Sequence, residues 1–155
     1  MKTLKSLLKL FFWLLVCQLP ALAGARSVPE ALAWYHTRTL PPFTPPDRLF
    51  GMAWGLLYIL MGVSAWLAFR AQIPRKALGL FLAQLLFNAC WTPLFFGQHQ
   101  LGLALLLLGL MAAELVFLMR ALHRLNPWAS RLLWPYGAWV LFACYLNAGF
   151  WLLNA

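Results

Sequence analysis

The chain has 155 residues, 64% of them hydrophobic, 16% aromatic and only 10% charged, with a formal net charge of +9. A soluble domain of that length leaves too much of its surface in water to hide so much apolar area, so a bilayer has to act as solvent for the outer faces. The basic residues sit in short clusters between long apolar runs, which is how membrane proteins encode topology, and no nucleic-acid partner is expected.

Five runs are long and apolar enough to cross the hydrocarbon core as helices, which takes about 20 residues each. They cover 7–25, 50–69, 77–96, 101–119 and 132–153. Strands of an outer-membrane barrel would instead alternate over about ten residues. The expected fold is therefore all-α, a single domain over 1–155 built as a compact bundle of five transmembrane helices.

The first run fits two readings equally. Lys2 and Lys5 stand ahead of it, Lys9 lies at its start and Ala21-Leu22-Ala23-Gly24-Ala25 closes it, which also suits a cleavable secretory signal. The segment 26–49 is the one long connection, stiffened by Pro41, Pro42, Pro45 and Pro46. Thr44 ahead of Pro45-Pro46 reads as a helix cap followed by first-turn prolines, so the second helix is expected to start there. Along that helix Trp54, Tyr58 and Met61 make one stripe, and Gly51 and Gly55 make a pair of small residues.

The third run carries Gln84, Asn88, Trp91 and Phe95 at i, i+4, i+7 and i+11, so they share a face. Two amides at membrane depth are costly against lipid, which turns this face into the bundle. Interhelical hydrogen bonding and ligand contact are both open to them there. Gly79 and Ala83 lie about 100° away on the same helix and are the expected homodimer contact.

In the fourth run Glu114 is the one acidic side chain inside any span. It lies six residues before Arg120, and protonation or a reach to the interface among Arg120 and Arg124 is expected to keep it out of the site. Asn126-Pro127 is expected to start the last helix early, with Pro135 kinking it. Trp139, Ala143 and Asn147 lie near one face of that helix.

Cys17, Cys90 and Cys144 each fall inside an apolar run, and three cysteines without close spacing read as small buried hydrophobes. His36, His99 and His123 are far apart, so no metal site is expected. Trp13, Trp66, Trp128 and Trp151 lie near run ends and read as interface anchors. Nine of the twelve basic residues fall on one side of the membrane, including Lys2, Arg70, Arg75 and Arg120; Arg26, Arg38 and Arg48 fall on the other, partly offset by Glu30 and Asp47. The positive-inside rule then makes the N-terminus cytoplasmic, and puts the 26–49 loop and the C-terminus outside.

Three blocks of sequence add a specific likeness. The first runs through Trp34-Tyr35, Leu40-Pro41, Pro45-Pro46, Phe50, Trp54, Leu57-Tyr58 and Met61-Gly62. The second holds Gln84-Leu85, Asn88, Trp91 and Leu94-Phe95-Phe96, and the third Leu132-Leu133, Pro135-Tyr136, Trp139, Phe142-Ala143, Leu146-Asn147 and Leu153-Asn154. Together they span most of the chain, which resembles the TspO/MBR family of tryptophan-rich sensory proteins, peripheral benzodiazepine receptors and translocator proteins.

The resemblance implies a retained first helix, a five-helix protein that is usually dimeric, and a pocket opening toward the first loop. Family members bind porphyrins and other tetrapyrroles, sterols in some lineages, and benzodiazepine-type ligands. Tetrapyrrole transport, stress sensing and light-dependent porphyrin breakdown have been proposed for them. The chain ends Asn154-Ala155 without the basic residue that completes the sterol motif of animal members, and Leu32, Tyr35 and Arg38 match that loose motif only in the loop.

On these grounds the expected ligand-binding residues are Trp34, Tyr35, Trp54, Tyr58, Gln84, Asn88, Trp91, Trp139, Ala143 and Asn147. Flat indoles and a few amide donors suit a large planar ligand, since stacking supplies affinity and the donors set orientation. The expected function is a receptor or carrier for porphyrin or a similar tetrapyrrole, with no cofactor required. A small-molecule transporter is the alternative, though no internal repeat supports alternating access. The spans hold no catalytic triad and no carboxylate pair, so no enzyme is expected. Light-driven porphyrin chemistry near Trp34 and Trp139 would need neither.

Overall fold

A computed structural model describes residues 2–25 and 28–154, and the side chains of 3–22 and 31–154. Lys2, Arg26 and Glu30 of the charge count, and Ala23 to Ala25 of the signal-like ending, lie outside the described side chains. The helices are α1 (Lys2–Ala25), α2 (Val28–His36), α3 (Asp47–Arg70), α4 (Arg75–Thr92), α5 (Leu101–Leu125), α6 (Pro127–Arg131) and α7 (Trp134–Asn154). A π-type turn over Pro93–Gly97 continues α4. Five spans are long and apolar enough to cross a membrane: α1, α3, α4 with its π-turn, α5, and α6 with α7.

Polarity is distributed inside out, as a bilayer requires. Ser64, Gln84, Asn88, Ser130 and Asn147 are buried, while Leu8, Phe11, Leu106, Phe117 and Leu152 are exposed. Facing lipid, an apolar side chain costs nothing, and a polar one gains only if it turns inward to a partner. Ser64 does so by donating to the Ala129 carbonyl at 2.7 Å, and Ser130 by donating to that of Met119 at 2.9 Å.

Short links set the neighbours. Residues 71–74 return α3 into α4, and 98–100 return the π-turn into α5. Gln72 and His99 close these links in left-handed conformations, with φ of 60° and 54°. Helix α1 runs against α3, where the Trp66 indole donates to the Ser6 carbonyl at 3.1 Å. Gly62 makes that crossing tight: a Cβ there would stand 2.9 Å from Leu14 Cα.

Local details depart from the sequence expectation in three places. The 26–49 connection contains a helix, α2, over Val28–His36. Thr44 does not cap α3; its hydroxyl donates to the Pro41 carbonyl at 2.7 Å, and α3 begins at Asp47. Trp13 is no anchor, because it is buried and stacks on Phe69 at 4.4 Å between ring centres. The early start of the last span does occur. Asn126 accepts from the Trp128 and Ala129 amides, Pro127 opens α6, and the helix breaks before α7. Of the cysteines only Cys17 is buried; Cys90 is exposed on the lipid side of α4 and Cys144 is half-buried.

Candidate ligand-binding site

At the end of the bundle that carries α2 and the proline-rich link, α1, α3, α4 and α7 diverge around a cavity of about 450 Å³. That volume lies within the usual range for small-molecule sites, roughly 300–1,000 Å³. One wall is α3, supplying Phe50, Trp54 and Tyr58, with Gly51 and Gly55 leaving open space between them. The two glycines therefore widen the cavity; they do not serve close helix packing. Opposite stand Asn88, Trp91 and Thr92 of α4, then Phe96 of the π-turn and Leu146 of α7. Leu32 and Tyr35 of α2 cover the top together with Thr44, Pro45 and Asp47.

The aromatic wall is continuous. Trp54 stacks on Tyr58 at 5.4 Å, and Trp91 stacks on Phe95 at 5.4 Å. Trp54 and Trp91 neighbour each other, 6.5 Å between centres and 32° between planes. Asn88 provides the one buried amide at the wall, held in place by donating to the Tyr136 hydroxyl and to the Gln84 carbonyl. An apolar, mostly aromatic volume with one oriented amide can stack a flat ring system and hydrogen-bond its edge.

Covering α2 is pinned at several points. Tyr35 stacks almost parallel on Phe150, 5.0 Å between centres and 8° between planes. Burial raises the Tyr35 phenol pKa above its ordinary value, with Thr44 opposing the shift and the Asp47 carboxylate adding to it. His36 bridges to Asp47 at 2.9 Å, joining the end of α2 to the start of α3. Asn154 exchanges hydrogen bonds with the backbone of Thr39, at 3.0 and 2.9 Å.

Of the ten expected site residues, Tyr35, Trp54, Tyr58, Asn88 and Trp91 line the cavity. The other five do not. Trp34 is turned away onto His99, stacked at 3.8 Å, with the Arg38 guanidinium 5.8 Å from its ring centre. Trp139 stands in a second layer, 5.5 Å from Phe50 and 6.4 Å from Trp54, so it backs the wall. Ala143 and Asn147 line a separate void of about 30 Å³ behind Trp91 and Leu146. Asn147 is spent on structure, accepting from the Trp91 indole at 3.3 Å and donating to the Leu101 carbonyl at 2.9 Å. Gln84 is fully buried away from the cavity.

Helix α1 adds lining residues that the sequence reading did not single out: Gln18, Pro20 and Ala21. The available signal was an amide two residues before a proline inside an apolar run, since neither belongs against lipid without a partner. Glu114 does not reach the interface. Both its carboxyl oxygens are buried, and no ion pair links it to Arg120 or Arg124.

The TspO/MBR family profile matches residues 12–152. The translocator protein homolog of Schizosaccharomyces pombe is 38% identical over 148 residues, covering 84% of this chain and 90% of its own length. The human translocator protein is 38% identical over 134 residues, covering 83% and 79%. The tryptophan-rich sensory protein of Cereibacter sphaeroides is 36% identical over 135 residues, covering 87% and 84%.

Proposed function

The chain belongs to the TspO/MBR family, and from that premise we propose that its cavity receives a porphyrin or another planar tetrapyrrole-like ligand. Relatives named as a translocator protein and a tryptophan-rich sensory protein support a membrane receptor or sensor role. The observation that carries the ligand class is the neighbouring pair Trp54 and Trp91, 6.5 Å between ring centres, with Asn88 lining the same cavity. A flat macrocycle gains dispersion and stacking from two indoles, and Asn88 orients its polar edge.

The test is a protoporphyrin titration followed by porphyrin absorbance, because removing tryptophans compromises fluorescence quenching. Trp54→Ala deletes a lining ring and is expected to weaken binding at least about fivefold, in line with roughly 1 kcal/mol or more for a stacking partner. Trp151→Ala, half-exposed against Gly102 on the other flank of α7, is expected to change it less than about twofold, as a residue outside the pocket should. Equal losses in the two variants would remove the cavity assignment. Carrier, sensor and light-dependent degradation remain separable on the same protein, by flux into sealed vesicles and by porphyrin turnover in light against dark.

Two further features belong to this proposal. Six of the described basic residues, Arg70, Arg75, Lys76, Arg120, Arg124 and Arg131, flank the links at the end opposite the cavity, and Arg38 and Arg48 lie at the cavity end. That bias supports a cytoplasmic face at the end opposite the cavity and an external cavity mouth. Reporter fusions should then read the N-terminus inside and the C-terminus outside; both termini on one side would contradict the orientation. Gly79 is exposed with open space over it, and with Ala83 it offers a flat strip on α4 for a homodimer. Cross-linking from cysteines placed beside Gly79 should trap that dimer in mild detergent, and a monomer under those conditions would contradict it.

A further inference from the structure

A second polar group lies beneath the cavity floor, among α4, α5 and α7, and ligand stacking makes no use of it. Asn88 of the floor donates to the Tyr136 hydroxyl, which in turn donates to Met111 Sδ at 3.3 Å. Asn88 and Met111 therefore stand at one level on the antiparallel pair α4 and α5. Gln84 lies four residues before Asn88, and Glu114 three residues after Met111. On antiparallel helices both steps run the same way, about 6 Å and about 4.5 Å at 1.5 Å per residue. Gln84 and Glu114 thus share a level roughly one turn below the Tyr136 hydroxyl.

Both residues carry buried polar atoms with no hydrogen-bond partner: Gln84 Nε2, and Oε1 and Oε2 of Glu114. Gln84 Oε1 is tied upward to the Asn88 amide at 3.4 Å. The other titratable groups on the elements packed around α5 are Arg75, Lys76 and Cys90 on α4, Arg131 on α6, and Cys144 and Tyr145 on α7. Arg120, His123 and Arg124 stand on α5 itself. No ion pair joins any of them to Glu114 among the described residues. A buried carboxyl without a cation or donors is sensitive to the dielectric around it, because its charged form depends on whatever solvation reaches it.

We propose that Glu114 is a proton-binding site linked to occupancy of the cavity, with Gln84, Asn88 and Tyr136 as the polar path between them. The link rests on the reading of the cavity as a ligand site. An apolar occupant at Asn88 excludes water from the floor and lowers the local dielectric, which disfavours a charged Glu114. Binding then draws one proton onto the carboxyl, and affinity rises as pH falls, by at most tenfold per pH unit for one linked proton.

The probe is protoporphyrin dimethyl ester, which has no carboxylate of its own to titrate. Wild-type affinity for the ester is expected to rise about three- to tenfold on lowering the pH through the Glu114 titration. Glu114→Gln, which mimics the neutral acid, is expected to bind with no pH dependence at the tight, low-pH level of wild type. The chain has only three Asp and Glu residues in all, so a protonated-carboxyl infrared band that grows when the ester binds is readily assigned. That band should be absent from Glu114→Gln. Wild type alone decides the case if the variant does not fold, since no band growth on ester binding overturns the link. Parallel pH slopes in wild type and variant also overturn it and leave the ligand site standing. No ester binding at any pH would overturn the ligand site, and the link with it.

Discussion

Gly62→Ala is expected to lower the thermal stability of the detergent-solubilised protein substantially, by about 1–3 kcal/mol, the usual cost of forcing extra volume into a packed contact. The added methyl would meet Leu14 Cα and Cδ2 at 2.9 Å and Leu14 N at 3.2 Å. Rotating the leucine side chain relieves only one of those three contacts. The other two are backbone atoms, so α1 as a whole has to move away from α3. That movement would loosen Trp13 and Cys17, both buried in the core, and shift the α1 residues Gln18 and Pro20 that line the cavity. Gly109→Ala on α5 is the matched control, because nothing lies within 4 Å of its Cβ position. Alanine favours a helix over glycine by up to about 1 kcal/mol, so the control should be unchanged or slightly stabilised. Unfolding followed by circular dichroism checks both, and equal midpoints would mean that α1 is not seated on α3 at Gly62.

The spans and their inward faces were legible because each follows from one helix alone. Apolar run length marks a crossing, and the 3.6-residue period put Trp54 with Tyr58, and Asn88 with Trp91, on common faces that do converge. Depth between layers is not a property of one helix, and there the reading failed. Trp139 shares the inward face of α7 yet sits behind Phe50 and Trp54, because the wall in front of it belongs to α3. Trp34 precedes Tyr35 by one residue, and the helical turn of α2 stacks Trp34 on His99 and Tyr35 on Phe150, so that of the two only Tyr35 lines the cavity. A connection in which no helix is expected gives no reason to separate them. Trp13 lies near the start of an apolar run, where an anchor is common, but the contact of α1 with α3 and α4 buries it against Phe69 and Phe81. Glu114 was placed by its distance from Arg120 along the helix, whereas its burial depends on which neighbour covers it.

Filling the cavity tests its assignment most directly, because a cavity-filling side chain acts by occupying the ligand's own space. Gly55 lies on α3 between Trp54 and Tyr58 along the wall, and a Cβ added there meets nothing within 4 Å. Gly55→Phe therefore directs a ring from the wall into the cavity, and replacing glycine within a helix does not weaken that helix. Gly109→Phe adds the same ring at an exposed position on α5, a helix that contributes nothing to the cavity lining. Protoporphyrin titration by absorbance, on folded samples of both variants and wild type, should show Gly55→Phe weakened at least about tenfold, which is 1.4 kcal/mol. Gly109→Phe should bind as wild type does. Wild-type affinity in Gly55→Phe would contradict a ligand site among α1, α3, α4 and α7.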